Sequence, residues 1–236
     1  MPASRVLFVL TGHDRLGDAT DASAEKTGFH LYEAAKPWGK LTDAGFDVVL
    51  VTPEGGPAPI DPSSADFGNA DCLRFLDDPD VARAIERSPS LNDVNVDDFD
   101  AIYFPGGHGT MWDLPTSASV SSAVAAMHER GKVIAAVCHG PAALVNARRS
   151  DGGWLVDGKT VSAFSDEEER ATGKDMLMPF ALASMLEERG ATLNIAPDFE
   201  ACVSVDGQLV TGQNPASADG VADAIRQLVE KRSAAA

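Results

Sequence analysis

Cysteine is scarce in this chain: Cys72, Cys138 and Cys202 make an odd number, which closes no disulfide framework and supplies no Cys-x-x-Cys metal site. Basic side chains are few as well, 19 Lys and Arg against 36 Asp and Glu, for a net charge of -17. That balance repels phosphate-bearing surfaces and excludes nucleic acid and anionic membranes as partners. No apolar run approaches the roughly 18 residues of a membrane span. The stretch Val6 to Leu10 is too short for a secretory leader and runs straight into Gly12-His13-Asp14, so the expected setting is cytoplasmic. His-Glu-x-x-His and related zinc spacings are missing, and no metal or other cofactor is expected. Aromatic residues make up only 6% of the chain, which argues against a large exposed apolar patch of the kind a holdase needs.

What is present is an alternation of two patterns. Arg5 to Thr11, Phe46 to Thr52, Ala101 to Phe104 and Lys132 to Val137 are compact apolar runs bounded by turn residues, the signature of buried strands. Between them Gly28 to Ala44 has helical composition, Ser119 to Arg130 is Ala-rich and stops at Gly131, and Pro179 to Arg189 stops at Gly190. Such alternation predicts an α/β three-layer sandwich, with a mostly parallel central sheet and helices on both faces. Thr160 to Phe164 and Thr192 to Ala196 read as further strands, and Asp206-Gly207 between two apolar runs is a hairpin signal. A last helix follows Asn214-Pro215-Ala216-Ser217 and runs to Lys231. The length suits one domain, 1–236, with irregular insertions near 12–27 and 53–70, the latter rich in Pro, Gly, Ser and Asp.

Ligands of an open α/β sheet gather beyond the carboxyl ends of its strands. Three chemically equipped segments fall there: Thr11-Gly12-His13, Pro105-Gly106-Gly107-His108-Gly109 and Cys138-His139. Ala136-Val137-Cys138-His139-Gly140 has the layout of a nucleophile elbow, in which small residues two before and two after the nucleophile permit a sharp strand-to-helix turn. Such a turn aims helix N–H groups at the sulfur and favours its thiolate. A cysteine ending a strand is ordinarily a small hydrophobe; the adjacent histidine and the nearby glycine loop reverse that reading. The loop 105–109 lacks the Gly-Lys-Ser/Thr ending of a phosphate-binding loop, and its N–H groups, at Gly106 and Gly107, suit an oxyanion. An acid that orients the imidazole must come from elsewhere, and Asp166, Glu167, Glu168 and Glu169 are equal candidates on composition. Glu33, four residues after Phe29 in a predicted helix, shares a face with it and could turn inward, where a carboxyl carries a raised pKa, although a lone helical glutamate is ordinarily exposed. His13 and His108 are expected to line a pocket, and His30 and His128 to be structural or exposed.

The segments Gly28-Phe29-His30-Leu31-Tyr32-Glu33-Ala34-Ala35-Lys36-Pro37, Phe104 to Gly109, Ala136 to Ala142, Thr160 to Phe164, Glu167-Glu168-Glu169 and Thr211 to Ser217 together resemble the ThiJ/PfpI superfamily. That fold is flavodoxin-like and similar to the class I glutamine amidotransferases. Within the superfamily the chain resembles the glutathione-independent glyoxalase III branch, which also contains stress-inducible chaperones. The resemblance implies Cys138 as nucleophile, His139 as its partner, Glu169 as the third member by its place five residues after Phe164, and Glu33 beside the thiol. It also implies conversion of methylglyoxal to D-lactate through a Cys138 hemithioacetal, a small reactive aldehyde as substrate, and a homodimer. Hydrolysis by a PfpI-type cysteine peptidase or amidase, and a redox-responsive holdase, are the competing readings.

Overall fold

The computed structural model describes residues 3–234. In chain order the elements are β1 (Arg5–Val9), α1 (Leu31–Asp43), β2 (Asp47–Val51), α2 (Ala70–Asp77), α3 (Pro79–Glu86), β3 (Ala101–Phe104), α4 (Thr110–Asp113), α5 (Ala118–Glu129), β4 (Val133–Val137), β5 (Thr160–Val161), α6 (Asp166–Thr172), α7 (Leu182–Glu188), β6 (Thr192–Leu193), β7 (Val203–Asp206), β8 (Leu209–Gly212) and α8 (Ala218–Ser233). Six strands form one sheet in the order β2-β1-β3-β4-β8-β7. Every pairing in it is parallel except the β7–β8 hairpin, so the class I glutamine amidotransferase-like α/β sandwich read from the sequence is the fold observed.

Successive strand residues point to opposite faces, and each central strand therefore feeds two cores. Val6 and Phe8 pack with Leu31, Leu41 and Ile225 of α1 and α8. Leu7 and Val9 pack with Val120, Val124 and Leu186 of α5 and α7. Burial on both sides explains why these strands are continuous apolar runs rather than alternating ones. The order reverses between β1 and β3, which opens a crevice beyond their carboxyl ends, the place where such sheets bind ligands.

Several expected boundaries shift. The helix expected from Gly28 begins at Leu31, because Phe29 is extended and paired through its N–H to the Pro59 carbonyl at 2.8 Å. The strand expected over 160–164 shortens to Thr160–Val161 and pairs only with Thr192–Leu193. Beyond it the chain crosses toward β4, where the Phe164 N–H donates to the Cys138 carbonyl at 3.0 Å. Residues 70–86, to which the sequence reading assigns no element, form α2 and α3, capped by the Asn69 and Asp78 side chains. The irregular segment 53–70 is not wholly superficial: Ala58, Asp61 and Ser64 are buried.

One glycine fixes the turn after β4. A Cβ at Gly140 would stand 2.0 Å from the Phe104 carbonyl oxygen, a backbone atom. Gly140→Ala is therefore expected to destabilise the protein by about 3 kcal/mol, read as a lowered urea midpoint; an unchanged midpoint would show that the turn relaxes freely.

Candidate active site

Cys138 follows the last residue of β4 with a φ of 59°, a left-handed conformation that costs a non-glycine residue on the order of 1 kcal/mol. Its N–H is anchored to the Gly212 carbonyl of β8 at 2.9 Å, and a 3-10 helix, Gly140–Leu144, begins two residues later. This kink folds the next side chain back on the sulfur. His139 Nδ1 lies 3.3 Å from Cys138 Sγ, and the Thr110 hydroxyl donates to the His139 carbonyl at 3.1 Å. The backbone N–H of His139 also acts on the sulfur and favours its anion.

Helix α6 sorts the acidic run. Ser165 caps it in a reciprocal box with Glu168, which sets the rotation of every following residue. Asp166 then accepts from Ser184, and Glu167 pairs with Arg170 at the surface. Glu168 is consumed by the N–H groups of Ser165 and Phe199 and by the Asn214 amide. Glu169 turns inward, its Oε2 2.5 Å from His139 Nε2 and its Oε1 2.9 Å from His108 Nε2. With Nε2 of His139 donating to this carboxylate, Nδ1 keeps its lone pair for the thiol.

Glu33 is fully buried on α1. Its Oε2 accepts the Gly106 N–H at 2.7 Å, and its backbone carbonyl accepts the Tyr103 hydroxyl at 2.7 Å. A Cβ added to Gly106 would fall 2.7 Å from Glu33 Oε2, 2.7 Å from the His139 N and 2.8 Å from Cys138 Cβ, so the glycine is what lets these three groups converge. Two expectations are corrected here. Gly106 offers no free N–H to an oxyanion, because Glu33 takes it; Gly107 and His139 retain theirs among the described residues. His108 does not face substrate alone, because its ring bridges Glu169 and Asp61, 3.9 Å away, and lies 4.4 Å from the His139 ring.

Electrostatics divide the site into opposed protonation states. Burial raises the Glu33 pKa to about 8 despite the Gly106 hydrogen bond, so the carboxyl is protonated at neutral pH. Burial, then the neighbouring Glu33 carboxyl, also pushes the Cys138 thiol up; the resting sulfur is a thiol rather than the thiolate that the elbow alone suggests. Burial and His108 hold His139 below its usual value, and the imidazole is neutral. Burial opposes ionisation of Glu169, but its hydrogen bonds to His108 and His139 outweigh it and keep the carboxylate far below its ordinary range. Burial would likewise lower His108, yet the Asp61 and Glu169 carboxylates raise it.

His108, His139 and Glu169 bring potential metal-ligand atoms within 4.8 Å of one another. Both carboxylate oxygens and both Nε2 atoms are already engaged with each other, and a cation would have to break those bonds. A cavity of about 170 Å³ adjoins the group, lined by Phe164, Glu169, Met178 and Leu182 among others. The His13 ring stacks on Trp112 at 5.1 Å, and its Nε2 donates to the Arg15 carbonyl at 2.5 Å. The sequence reading missed Asp61, which sits in a segment without periodicity; His30, expected to be structural or exposed, is partly exposed and has its Nδ1 3.9 Å from Glu33 Oε1. Cys72 is buried in the core and Cys202 partly so, both as free thiols.

The model of the DJ-1/PfpI family matches residues 24–228. The glutathione-independent glyoxalase HSP31 of Saccharomyces cerevisiae is 30% identical over 231 residues, covering 94% of this chain and 96% of its own. Among solved structures, Rapid Encystment Protein 24 KDa of Francisella tularensis superposes with a TM-score of 0.91 at 38% identity over 96% of this chain and 99% of that one. Glyoxalase III from Candida albicans gives a TM-score of 0.85 at 25% identity over 95% and 97%. A match of this extent, on a sheet of this order with a cysteine at the turn after β4, means that the chain belongs to the DJ-1/PfpI family.

Proposed function

We propose that the protein is a glutathione-independent glyoxalase that converts methylglyoxal to D-lactate, with Cys138 as nucleophile. The observation that carries this reading is one sulfur served by a neutral base, His139 Nδ1 at 3.3 Å, and by a protonated acid, Glu33. The names of the yeast and Candida relatives point to the same chemistry.

In this mechanism His139 takes the thiol proton while sulfur adds to the aldehyde carbon C1, and then returns that proton to the C1 oxygen, giving a hemithioacetal. The free N–H groups of Gly107 and His139 hold the oxygen as it becomes anionic. His139 next removes the hydrogen of C1; its electron pair forms a C1–C2 double bond, and the C2 oxygen takes the Glu33 proton. The enediol collapses when His139 protonates C2 and the C1 hydroxyl returns its proton to Glu33. Carbon C1 has been oxidised and C2 reduced with no outside oxidant, and water releases lactate from the thioester. The Glu169 carboxylate stabilises the transient His139 imidazolium. Glu169→Gln is expected to lower kcat about 100-fold and to slow iodoacetamide alkylation of Cys138; an unchanged alkylation rate would remove Glu169 from this role.

Cys138 is 3% exposed, a setting that suits a small aldehyde better than a peptide backbone and disfavours the peptidase reading. The direct test is methylglyoxal with fresh, reduced protein and no glutathione, following substrate loss together with chiral lactate. Turnover to the D-isomer is expected, and its absence overturns the reading. Among the described residues no helix is long and apolar enough to cross a membrane. A cytoplasmic homodimer belongs to the same proposal, and light scattering that reads the mass of a single chain would remove the dimer from it.

A further inference from the structure

His30 Nδ1 and Glu33 Oε1 are both closed off from solvent and both lack a hydrogen-bond partner. The only other buried side-chain atoms in that condition among the described residues are two hydroxyl oxygens, Thr52 Oγ1 and Ser88 Oγ. The nitrogen and the carboxyl oxygen face each other across 3.9 Å, too far for a hydrogen bond. Each such orphan costs roughly 1–3 kcal/mol, and a small turn of the partly exposed His30 ring would let one further atom satisfy both. An oxygen about 2.8 Å from each would satisfy both, with an angle of roughly 90° at that oxygen.

The backbone holds this arrangement firmly. The His30 N–H donates to the Gly106 carbonyl at 2.8 Å, and the Leu31 N–H donates to the Ser64 hydroxyl at 2.9 Å. A Cβ at Gly107, whose φ is 101°, would stand 2.4 Å from the His30 N. His30 is thus locked to the loop that carries the free Gly107 N–H. Its ring is 24% exposed while Glu33 is wholly enclosed, so the pair spans from the solvent edge of the site to its floor beside Cys138.

We propose that His30 Nδ1 and Glu33 Oε1 form the subsite for the second oxygen of a vicinal dicarbonyl, the C2 carbonyl of a 2-oxoaldehyde joined through C1 to Cys138. This rests on the glyoxalase reading above and adds His30 to it. Glu33 donates from its protonated Oε1, and neutral His30 donates in the tautomer with hydrogen on Nδ1. Burial lowers the His30 pKa to about 4, which keeps the ring neutral across the working range. When the C1 hydrogen leaves, the charge that develops on the C2 oxygen falls between these two donors. Glu33 transfers its proton there and His30 holds the oxygen in place, so a simple aldehyde without that oxygen gains nothing from His30.

The test compares wild type with His30→Leu, which removes the nitrogen, and His30→Asn, whose amide nitrogen can reach the Nδ1 position. Methylglyoxal turnover in His30→Leu is expected to fall about 100-fold, chiefly in kcat, and His30→Asn to recover to within about tenfold of wild type. Iodoacetamide alkylation of Cys138, competitive inhibition by propanal and the thermal midpoint are expected to match wild type in both variants. Wild-type kcat in His30→Leu overturns the inference, as does a parallel loss of alkylation, propanal binding and folding, which would make His30 merely structural. If wild type itself fails to consume methylglyoxal, the glyoxalase reading falls and this inference with it; turnover by wild type separates the two failures.

Discussion

Cys138→Ala is expected to leave methylglyoxal unconsumed, with kcat reduced by at least about four orders of magnitude. Without the sulfur no hemithioacetal forms, and the remaining groups have no covalently held C1 on which to move protons. The substitution deletes one buried atom and leaves the turn, so folding is expected to survive and circular dichroism to match wild type. Residual turnover above about 1% would mean that the aldehyde rearranges by general acid–base catalysis alone.

Glu33→Gln separates chemistry from stability. The amide can still donate a hydrogen bond but cannot transfer a proton, and kcat is expected to fall about 1000-fold. Folding responds in the opposite sense. The carboxyl has an ordinary pKa of 4.5 and a folded value of about 8, so the folded state binds this proton more tightly than the unfolded chain. Its contribution is fully present below pH 4.5, shrinks as pH rises, and is lost once pH passes 8. At about 1.4 kcal/mol per unit the loss amounts to roughly 5 kcal/mol. Glu33→Gln lacks this dependence, and its stability relative to wild type is expected to rise from pH 4.5 to pH 8 and then level off. Urea titrations at pH 5, 7 and 9 measure it, and parallel curves for the two proteins would show that Glu33 is not protonated in the fold. In wild type the same proton is the acid of the mechanism, which places an alkaline limb near pH 8 in the profile of kcat/KM.

Much of the framework was legible in order along the chain. The strands β1 to β4 announced themselves because burial on both faces makes them apolar throughout, and the turn at Cys138 because small residues on either side of a nucleophile have few other uses. Helices α2 and α3 went unread although each carries an apolar face, Cys72 and Phe75 on one and Val81 and Ala84 on the other; eight-residue spans offer only two turns of periodicity, and their start signals, Asn69 and Asp78, sit in a run full of equivalent turn residues. Asp61 escaped for a related reason: an isolated acid in an irregular segment has no period to read.

Local sequence determined the sheet, the elbow and the placing of a cysteine, a histidine and a glycine loop at one edge, because each of these depends on residues close together along the chain. It could not choose among Asp166, Glu167, Glu168 and Glu169. That choice depends on the rotation of α6, which its Ser165–Glu168 cap and the docking of Glu168 on Asn214 determine. Nor could it place His30 against Glu33 or decide which of two buried acids keeps its proton. Those outcomes depend on distances between α1, the loop after β3 and the turn after β4, and on the number of donors each carboxylate meets there. Glu169 meets two histidines and ionises, whereas Glu33 meets one backbone N–H in a dry enclosure and stays neutral. The sign of a buried charge is decided by its neighbours in space, and only the tertiary structure supplies them.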